Sequence, residues 1–346
     1  MQLTRVTARH RALSNIDHAR LTRRAIRWCR LALTALASLL GTALLGTVLL
    51  AGTALAAPSA QGTSYSFRAL DNNTDPTFNQ LLGINNRGVI AGYFGSGAAG
   101  HPNQGYLLTH FGSLKFYTSE NYPGSVQTQV TGLNDHGVSV GFWSDENNAN
   151  LSNDNFGFYS INGRQFHNVN FPAADNSTPP VNQLLGVNDF DVAVGFYTDG
   201  AGASHGYTYN IFTNRYQPIS LPGAEDVTAA AINNRDQIAG FETDANGNVD
   251  GFLLVGHGIT VLDYPQATMT EALGVNDFDE VVGVYQDSDS TMHGFTWTPS
   301  GGYQTVDDPD GIGTTTINGV NDRGQLAGFY TDGNTNVDGL LATPRF

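Results

Sequence analysis

The chain has 346 residues, and its 31 acidic and 16 basic residues give a formal charge of −15 at pH 7. Such a charge repels nucleic acid, anionic lipid and polyanionic glycans, so the composition excludes these partners and favours neutral or basic ones. The single cysteine, Cys29, excludes a disulfide framework, so stability must come from packing or bound ions.

Residues 1–56 are predicted to be an export signal. Residues 1–30 contain eight arginines and one acid, and an apolar run follows from Leu31 to Ala56. The run ends in the small-x-small triplet Ala54-Leu55-Ala56, which places the mature N-terminus near Ala57. Thr22-Arg23-Arg24 resembles the twin-arginine signal of bacteria, so we expect a periplasmic or extracellular protein. An uncleaved membrane anchor is the competing interpretation, because the run is long enough to span a bilayer.

Residues 57–346 contain one phrase six times and keep eight basic and thirty acidic residues, a formal charge of −22. Each copy has an apolar strand, an Asn-Asn or Asn-Asp turn, and a second apolar strand with a glycine inside it. The copies read LLGINNRGVIAGYF from Leu81, VTGLNDHGVSVGFWSD from Val130, LLGVNDFDVAVGFYTD from Leu184, AAAINNRDQIAGFETD from Ala229, LGVNDFDEVVGVYQD from Leu273 and INGVNDRGQLAGFYTD from Ile317. Their turn asparagines lie 43 to 54 residues apart, a spacing typical of four-stranded propeller blades.

Alternation and strand breakers predict four short antiparallel strands in each repeat. The last repeat ends after its third strand, and residues 64–71, SYSFRALD, precede the first repeat and read as the missing fourth strand. We therefore predict an all-β, six-bladed β-propeller over residues 57–346, with its last blade closed by an N-terminal strand. The glycines inside the second strands are expected to permit close approach between neighbouring blades. These glycines are Gly92, Gly141, Gly195, Gly240, Gly283 and Gly328.

The repeats resemble the extracellular HAF-repeat family, whose units carry an INxxGxxVG turn followed by a His-Ala-Phe or His-Gly-Phe strand. The matching residues are Val275-Asn276-Asp277 with Gly283 and His293-Gly294-Phe295, and Val187-Asn188-Asp189 with Gly195 and His205-Gly206-Tyr207. The other four repeats depart at the histidine, where Gln104, Phe156, Asp250 and Asp338 stand. The resemblance implies an exported repeat protein and brings no catalytic motif.

A propeller of this kind has two unlike faces. The Asn turns and the turns between third and fourth strands share one face, which we call the turn face, and its uniform turns are predicted to be structural. The loops between second and third strands and the connections between blades share the other, which we call the loop face. Because these loops differ in length, the loop face is the predicted binding surface.

Aromatic side chains end five of the six second strands on the loop face. Each stands two residues after the strand glycine, where it can present a ring to a sugar, although packing between blades is the alternative. These residues are Phe94, Trp143, Tyr197, Tyr285 and Tyr330, with Glu242 in the fourth repeat. We predict a neutral glycan or a protein as ligand, with Trp143 as the preferred contact and His205 and His293 as further contacts.

Two loops of the loop face have oxygen-bearing side chains at alternate positions. They run Asp244, Asn246, Asn248 and Asp250, and Asp332, Asn334, Asn336 and Asp338. This DxNxNxD spacing is typical of short calcium loops, so calcium is a predicted cofactor, although the same residue types also form ordinary turns.

The rival functional hypothesis is a glycoside hydrolase with paired carboxylates near the axis. Its carboxylates would come from Asp145, Asp199, Asp244, Asp287 and Asp332. Catalysis by His205 with Asp199, or by His293 with Asp287, is a related option, because each pair falls in one loop. A purely structural envelope protein is the third alternative, and in every case we expect a monomer that contacts membranes only through an uncleaved leader.

Overall fold

The computed structural model describes residues 63–345 except 99, 146–153 and 175–176. The predicted export signal and its boundary at residue 56 therefore lie outside the described residues. In the described part of the chain, no helix is long and apolar enough to cross a membrane.

Twenty-four strands form six four-stranded antiparallel sheets, which confirms the predicted six-bladed all-β propeller. Blade 1 contains β2 (Asn79–Ile84), β3 (Ile90–Phe94), β4 (Gln104–Phe111) and β5 (Leu114–Ser119), and blade 2 contains β6 (Gln127–Leu133), β7 (Val138–Ser144), β8 (Phe156–Ile161) and β9 (Gln165–Val169). Blade 3 contains β10 (Asn182–Val187), β11 (Val192–Thr198), β12 (Ser204–Asn210) and β13 (Arg215–Pro218), and blade 4 contains β14 (Ala224–Ile232), β15 (Ile238–Asp244), β16 (Val249–Val255) and β17 (Gly258–Leu262). Blade 5 contains β18 (Met269–Val275), β19 (Val281–Gln286), β20 (Met292–Thr298) and β21 (Gly302–Thr305), and blade 6 contains β22 (Thr316–Val320), β23 (Leu326–Thr331), β24 (Val337–Arg345) and β1 (Ser64–Ala69).

The ring is closed by the N-terminal strand, as predicted. β1 pairs antiparallel with β24, with Ser64 opposite Arg345 and Ala69 opposite Leu340. Blade 6 is thus built from both ends of the propeller, and β24 is not left as an unpaired edge.

Two closed rings of hydrogen bonds join the six Asn turns around the axis. In the first, the side-chain amide of each turn asparagine donates to the backbone carbonyl of the next, from Asn85 to Asn134 (3.0 Å) round to Asn321 and back to Asn85 (3.0 Å). In the second, the backbone N–H of each following residue donates to the side-chain oxygen of its counterpart in the next blade. That ring runs Asn86, Asp135, Asp189, Asn234, Asp277 and Asp322, with distances of 2.8 to 3.0 Å. The repeated turn is therefore structural, as predicted, because it links every blade to the next.

The prediction that the second-strand glycines permit close approach between neighbouring blades is wrong. A side chain at any of them would overlap a backbone carbonyl of the first strand of its own blade, for example that of Gln183 in the case of Gly195. All six blades have a β-bulge in this strand pair, between Leu184 and Gly186 in blade 3, and the bulge presses the two backbones together.

Instead, small residues in the first strands allow neighbouring blades to approach closely. A side chain on Gly132 would come within 3.0 Å of the backbone at Leu185 and Gly186 in the next blade, and Gly319 approaches Gly83 in the same way across the closure of the ring. The positions are Gly83, Gly132, Gly186, Ala231, Gly274 and Gly319.

Five of the six blade interfaces share an apolar triad. One residue ends or directly follows the fourth strand of the leading blade, and two cross-strand partners come from the second and third strands of the next blade. The triads are Leu70, Ile90 and Leu108; Val169, Ala193 and Tyr209; Ile219, Ile238 and Leu254; Leu262, Val281 and Trp297; and Val306, Leu326 and Ala342.

The interface between blades 1 and 2 breaks this rule, because Glu120, Ser139 and Ser160 occupy the three positions. All three are buried, and Glu120 is 0% exposed. Glu120 Oε1 accepts hydrogen bonds from the hydroxyls of Ser139 (2.5 Å) and Ser160, whereas its Oε2 has no hydrogen-bond partner among the described residues. A buried carboxyl oxygen without a partner costs free energy, so this interface is expected to be weaker than the other five.

Replacing this polar triad by the apolar one of the preceding interface should stabilise the domain. We expect Glu120→Leu with Ser139→Ile and Ser160→Leu to raise the free energy of unfolding by about 2 kcal/mol, because the same three residue types already pack at the preceding interface and apolar side chains usually outperform a buried polar cluster. Urea unfolding measures the change. Glu120→Leu alone is the matched control and should gain less, since it leaves two buried hydroxyls facing a leucine, and a triple variant less stable than wild type would contradict the explanation.

Candidate functional site

The predicted aromatic positions are distributed around the loop face, one in each blade. Each pairs across the sheet with the residue that precedes the glycine of the third strand. The pairs are Phe94 with Gln104, Trp143 with Phe156, Tyr197 with His205, Glu242 with Asp250, Tyr285 with His293 and Tyr330 with Asp338. The structure thus brings each histidine against its aromatic neighbour, whereas the five aromatic side chains belong to five different sheets.

In blades 2, 3 and 5 the pair becomes a stack of three rings. A residue of the connection from the preceding blade covers the other face of the strand aromatic: Tyr122 lies 4.5 Å from Trp143, Phe171 lies 4.3 Å from Tyr197, and Tyr264 lies 3.6 Å from Tyr285, all nearly parallel. Phe156, His205 and His293 lie 4.8 to 5.1 Å away on the opposite side. Because both faces of the middle ring are covered, a ligand reaches Trp143, Tyr197 or Tyr285 only at the ring edge or the polar tip.

The remaining two aromatic side chains pack in the cores of their blades. Tyr330 is 4% exposed and lies in the core of blade 6, and Phe94 packs against Tyr106 in the core of blade 1. Sequence reasoning could not separate these from the partly exposed rings, because the repeat places all of them at one strand position.

His293 lies between two carboxylates in blade 5. Its Nδ1 is 2.8 Å from Asp307 Oδ2 and its Nε2 is 3.4 Å from Asp287 Oδ2. Burial alone would lower the pKa of His293, but the hydrogen bonds and charges of Asp307 and Asp287 outweigh burial and raise it. The pKa of Asp287 is lowered to about 2, chiefly by the hydroxyl and backbone N–H of Thr291. The two carboxylates therefore favour the charged form of the His293 imidazole.

His205 has one such partner, since its Nε2 lies 2.9 Å from Asp199 Oδ2 and Ser220 stands where blade 5 has Asp307. The predicted His-Asp pairs therefore form in both blades. Asp307, which completes the blade 5 cluster, was missed because it lies just after the fourth strand, outside the repeated phrase.

Four of the five loop aspartates of the hydrolase hypothesis close their own loops. Oδ1 of Asp199 accepts the backbone N–H groups of Ala201 and Ala203, and Asp244, Asp287 and Asp332 do the same two and four residues ahead. Each of these four carboxylates is thus engaged in a turn of its own blade. The fifth, Asp145, is exposed and directly follows the second strand of blade 2.

The two DxNxNxD loops use their asparagines as donors. Oδ2 of Asp244 accepts the side-chain amides of Asn246 (3.1 Å) and Asn248 (2.9 Å), and Oδ2 of Asp332 accepts those of Asn334 and Asn336. Among the described residues, no group of three or more His, Cys, Asp or Glu side chains is arranged to hold a metal ion. A calcium ion in these loops would need the asparagine amides to turn their oxygens inward.

Carboxylates crowd together beside both loops. Burial, together with the nearby charges of Asp71 and Asp332, raises the pKa of Asp338 to about 6. Burial and the charges of Asp263 and Asp244 also raise the pKa of Asp250. A cation or bound protons would relieve this repulsion.

A small pocket on the loop face lies between blades 1 and 2 and has a wholly neutral lining. Its volume is about 10 Å³, enough for one hydroxyl group or water molecule. The lining residues are Asn103, Gln127, Gln129, Phe142, Trp143, Ser144 and Asn155. Sequence reasoning identified Trp143 but missed the amides, because they lie in strand starts and loops outside the repeated phrase.

Hydrogen bonds hold the pocket amides in place. Asn103 Oδ1 accepts the side-chain amide of Gln129 (2.9 Å), and Asn103 Nδ2 donates to the carbonyl of Gly95 (2.6 Å). Asn155 Oδ1 accepts the side-chain amide of Gln183 (2.8 Å). Trp143 forms one wall, and its indole N–H donates to Asn168 (3.0 Å).

A second cavity, of about 70 Å³, opens at the axis on the turn face. Its wall consists of the turn asparagines and the second hydrogen-bonded ring, with Ile84, Leu133, Val187, Ile232, Val275 and Val320 behind them. Four of the six side chains in that ring are aspartates.

No protein-family model and no curated protein sequence matches the chain. Among solved structures, it is similar to a putative TolB from Agrobacterium tumefaciens, with a TM-score of 0.51 and 10% identity over 82% of this chain and 99% of that one. It is also similar to AofleA from Arthrobotrys oligospora, with a TM-score of 0.50 and 13% identity over 81% and 87% of the two chains. A mutant of Aleuria aurantia lectin in complex with Fucα1-6GlcNAc has a TM-score of 0.47 and 8% identity over 77% and 94%. At these identities, the likeness to the first two structures shows the propeller fold and nothing more.

Glu271, on the first strand of blade 5, is a buried acid that sequence reasoning also missed. Burial raises its pKa from the usual 4.5 to about 7. The five equivalent positions hold Gln80, Gln129, Gln183, Thr228 and Thr316, none of which ionises.

Glu271→Gln should remove a pH dependence of stability. Because its pKa is raised in the folded state, wild type loses stability as the pH rises from about 4.5 to about 7 and carries the full cost above that. We expect the variant to be more stable than wild type by about 3 kcal/mol at pH 8 and nearly equal at pH 4, since one pKa unit corresponds to about 1.4 kcal/mol. Urea unfolding across this range is the measurement, and an equal gain at both pH values would refute this explanation.

Proposed function

We propose that this propeller is an exported binding module for a neutral glycan, held at the amide-lined pocket beside Trp143. The observation that carries the proposal is that an acidic domain has a pocket on its loop face with no ionisable residue in its lining. Side-chain amides both donate and accept hydrogen bonds, as sugar hydroxyls do, and the accessible edge of Trp143 adds an apolar contact beside them.

The geometry suggests how such a ligand would lie. The pocket has room for one hydroxyl group, so the sugar ring itself would rest over the mouth, against the accessible edge of Trp143. Asn103 and Gln129 are already oriented by their mutual hydrogen bond, which limits the ordering that binding must impose.

The resemblance of the repeats to the HAF-repeat family agrees with export and leaves the ligand open. The hydrolase hypothesis is less well supported, because the loop aspartates are used to close turns in separate blades. A protein ligand on the same loop face is the remaining alternative and is separated by the test below.

The test is binding of residues 57–346 to an array of neutral and anionic glycans. We expect retention of neutral glycans only, and a loss of affinity of at least about tenfold in Gln129→Leu, because a hydroxyl would then face an apolar wall. Gln80→Leu is the matched control, since it changes the equivalent strand position of blade 1 outside the pocket and should leave binding unchanged.

Three results would contradict the proposal: no neutral glycan retained, equal losses in both variants, or release of reducing sugar from a bound glycan. The last would favour a hydrolase. Binding of a protein ligand that Gln129→Leu weakens, with no glycan retained, would favour the protein alternative. Thermal unfolding of each variant shows whether a loss of binding reflects a loss of fold.

We also propose calcium as a ligand of the two DxNxNxD loops, on the basis of the crowded carboxylates beside them. Calcium at millimolar concentration should raise the melting temperature, and a chelator should lower it, because an ion that binds only the folded state stabilises it. Asp244→Asn with Asp332→Asn should abolish the response. Asp287→Asn is the matched control, because its loop lacks the asparagines, and an unchanged melting temperature on chelation would rule out the proposal.

A further inference from the structure

The turn face is uniform in its first two turn positions and divided in the next two. At the third position blades 1, 4 and 6 carry Arg87, Arg235 and Arg323, and blade 2 carries His136, whereas blades 3 and 5 carry Phe190 and Phe278. At the fourth position blades 1, 2 and 6 carry Gly88, Gly137 and Gly324, whereas blades 3, 4 and 5 carry Asp191, Asp236 and Asp279.

Both phenylalanines are largely exposed to solvent. Phe190 is 66% exposed and Phe278 is 70% exposed, although both lie in the innermost turns of the propeller. The turn does not require an aromatic side chain there, since arginine and histidine occupy the same position in the other four blades. Burial of two such rings against a partner would contribute several kcal/mol of binding free energy.

The aspartates of the same three blades make this sector acidic. Asp191 and Asp236 each accept a hydrogen bond from the turn asparagine of the preceding blade, at 3.1 and 3.2 Å. Asp279 accepts a hydrogen bond from Gln237 and pairs with Arg235 at 2.7 Å, so the arginine of these three inner turns is already engaged. The second hydrogen-bonded ring adds Asp189 and Asp277 at the axial side.

We propose that the turn face of blades 3 to 5 docks a protein segment in which a lysine or arginine lies beside apolar side chains. The apolar residues would cover Phe190 and Phe278, and the cation would face the carboxylates between them. The opposite sector has Arg87 and Arg323 beside glycines and lacks the aspartates of the fourth turn position, so it would attract the same cation less and thereby fix the orientation of the segment.

The charge pattern selects this partner over others. Nucleic acid and anionic membranes are repelled by the aspartates. A second copy of the chain is disfavoured because each copy carries a formal charge of −22 after residue 56. A basic, partly apolar protein segment satisfies both features of the sector.

The test selects a random displayed peptide library against residues 57–346. Enriched peptides should carry Lys or Arg next to aliphatic or aromatic residues, and their affinity should fall as salt is raised. Phe190→Ala and Phe278→Ala should each lower the affinity for a synthetic copy of the best peptide by at least about tenfold, as expected for exposed aromatic anchors. Asp236→Gly should also weaken it, and it should fold, because glycine occupies this position in three other blades.

Phe212→Ala is the matched control, since Phe212 is 91% exposed in an outer turn of the same face. It should leave peptide binding unchanged, as should Gln129→Leu on the loop face, which separates this surface from the glycan pocket. The proposal is overturned if no peptide is enriched or if the enriched peptides lack Lys and Arg. It is also overturned if Phe212→Ala weakens peptide binding as much as Phe278→Ala does. Loss of glycan binding in the phenylalanine variants would also overturn it, by assigning the face to the glycan.

Discussion

The asparagine that opens each first turn is the residue on which the architecture depends. Its side-chain oxygen accepts two backbone N–H groups of its own turn, as Asn188 does from Phe190 and Val192, while its amide donates to the next blade. One side chain thus shapes the hairpin and joins it to a neighbour, and six of them close a ring. Aspartate could shape the turn but has no N–H to donate, and serine has one hydroxyl for both tasks, so the pattern explains why all six copies keep asparagine.

The same repetition explains how much of the fold could be predicted. Strand order, blade number and the closing role of residues 64–71 follow from spacing alone, because each repeat must bury its faces against another. The reason for the second-strand glycines was not visible in the sequence. A one-residue bulge within a strand pair leaves no trace in the alternation of apolar residues, and only the register of Leu184 and Gly186 against the next strand reveals it.

The candidate site was less predictable, because its parts do not repeat. The aromatic strand ends were visible as a periodic feature, but the rings that cover them, such as Tyr122 and Tyr264, come from connections of unequal sequence. Stacking by these residues turns the most obvious ligand contacts into packing between blades. The groups that a ligand can still reach are the ring edges and the amides beside Trp143. A search for repeated residue types does not find these amides.

In a repeat protein, the residue types that most blades share at a position show what the fold requires there, and the blades that differ can be compared with them. Glu120 with its two serines replaces an apolar triad, Glu271 replaces a neutral side chain, and Phe190 and Phe278 replace arginine or histidine. Each replacement has a physical cost in the isolated domain: a buried carboxyl in two cases and exposed aromatic surface in the third. The exposed aromatic side chains differ from the buried acids in one respect. A binding partner would bury the aromatic surface and remove its free-energy cost, whereas it would leave the cost of a buried carboxyl unchanged. That difference directs attention to the turn face of blades 3 to 5, where the same hairpins that hold the ring together present a surface that the ring itself does not need.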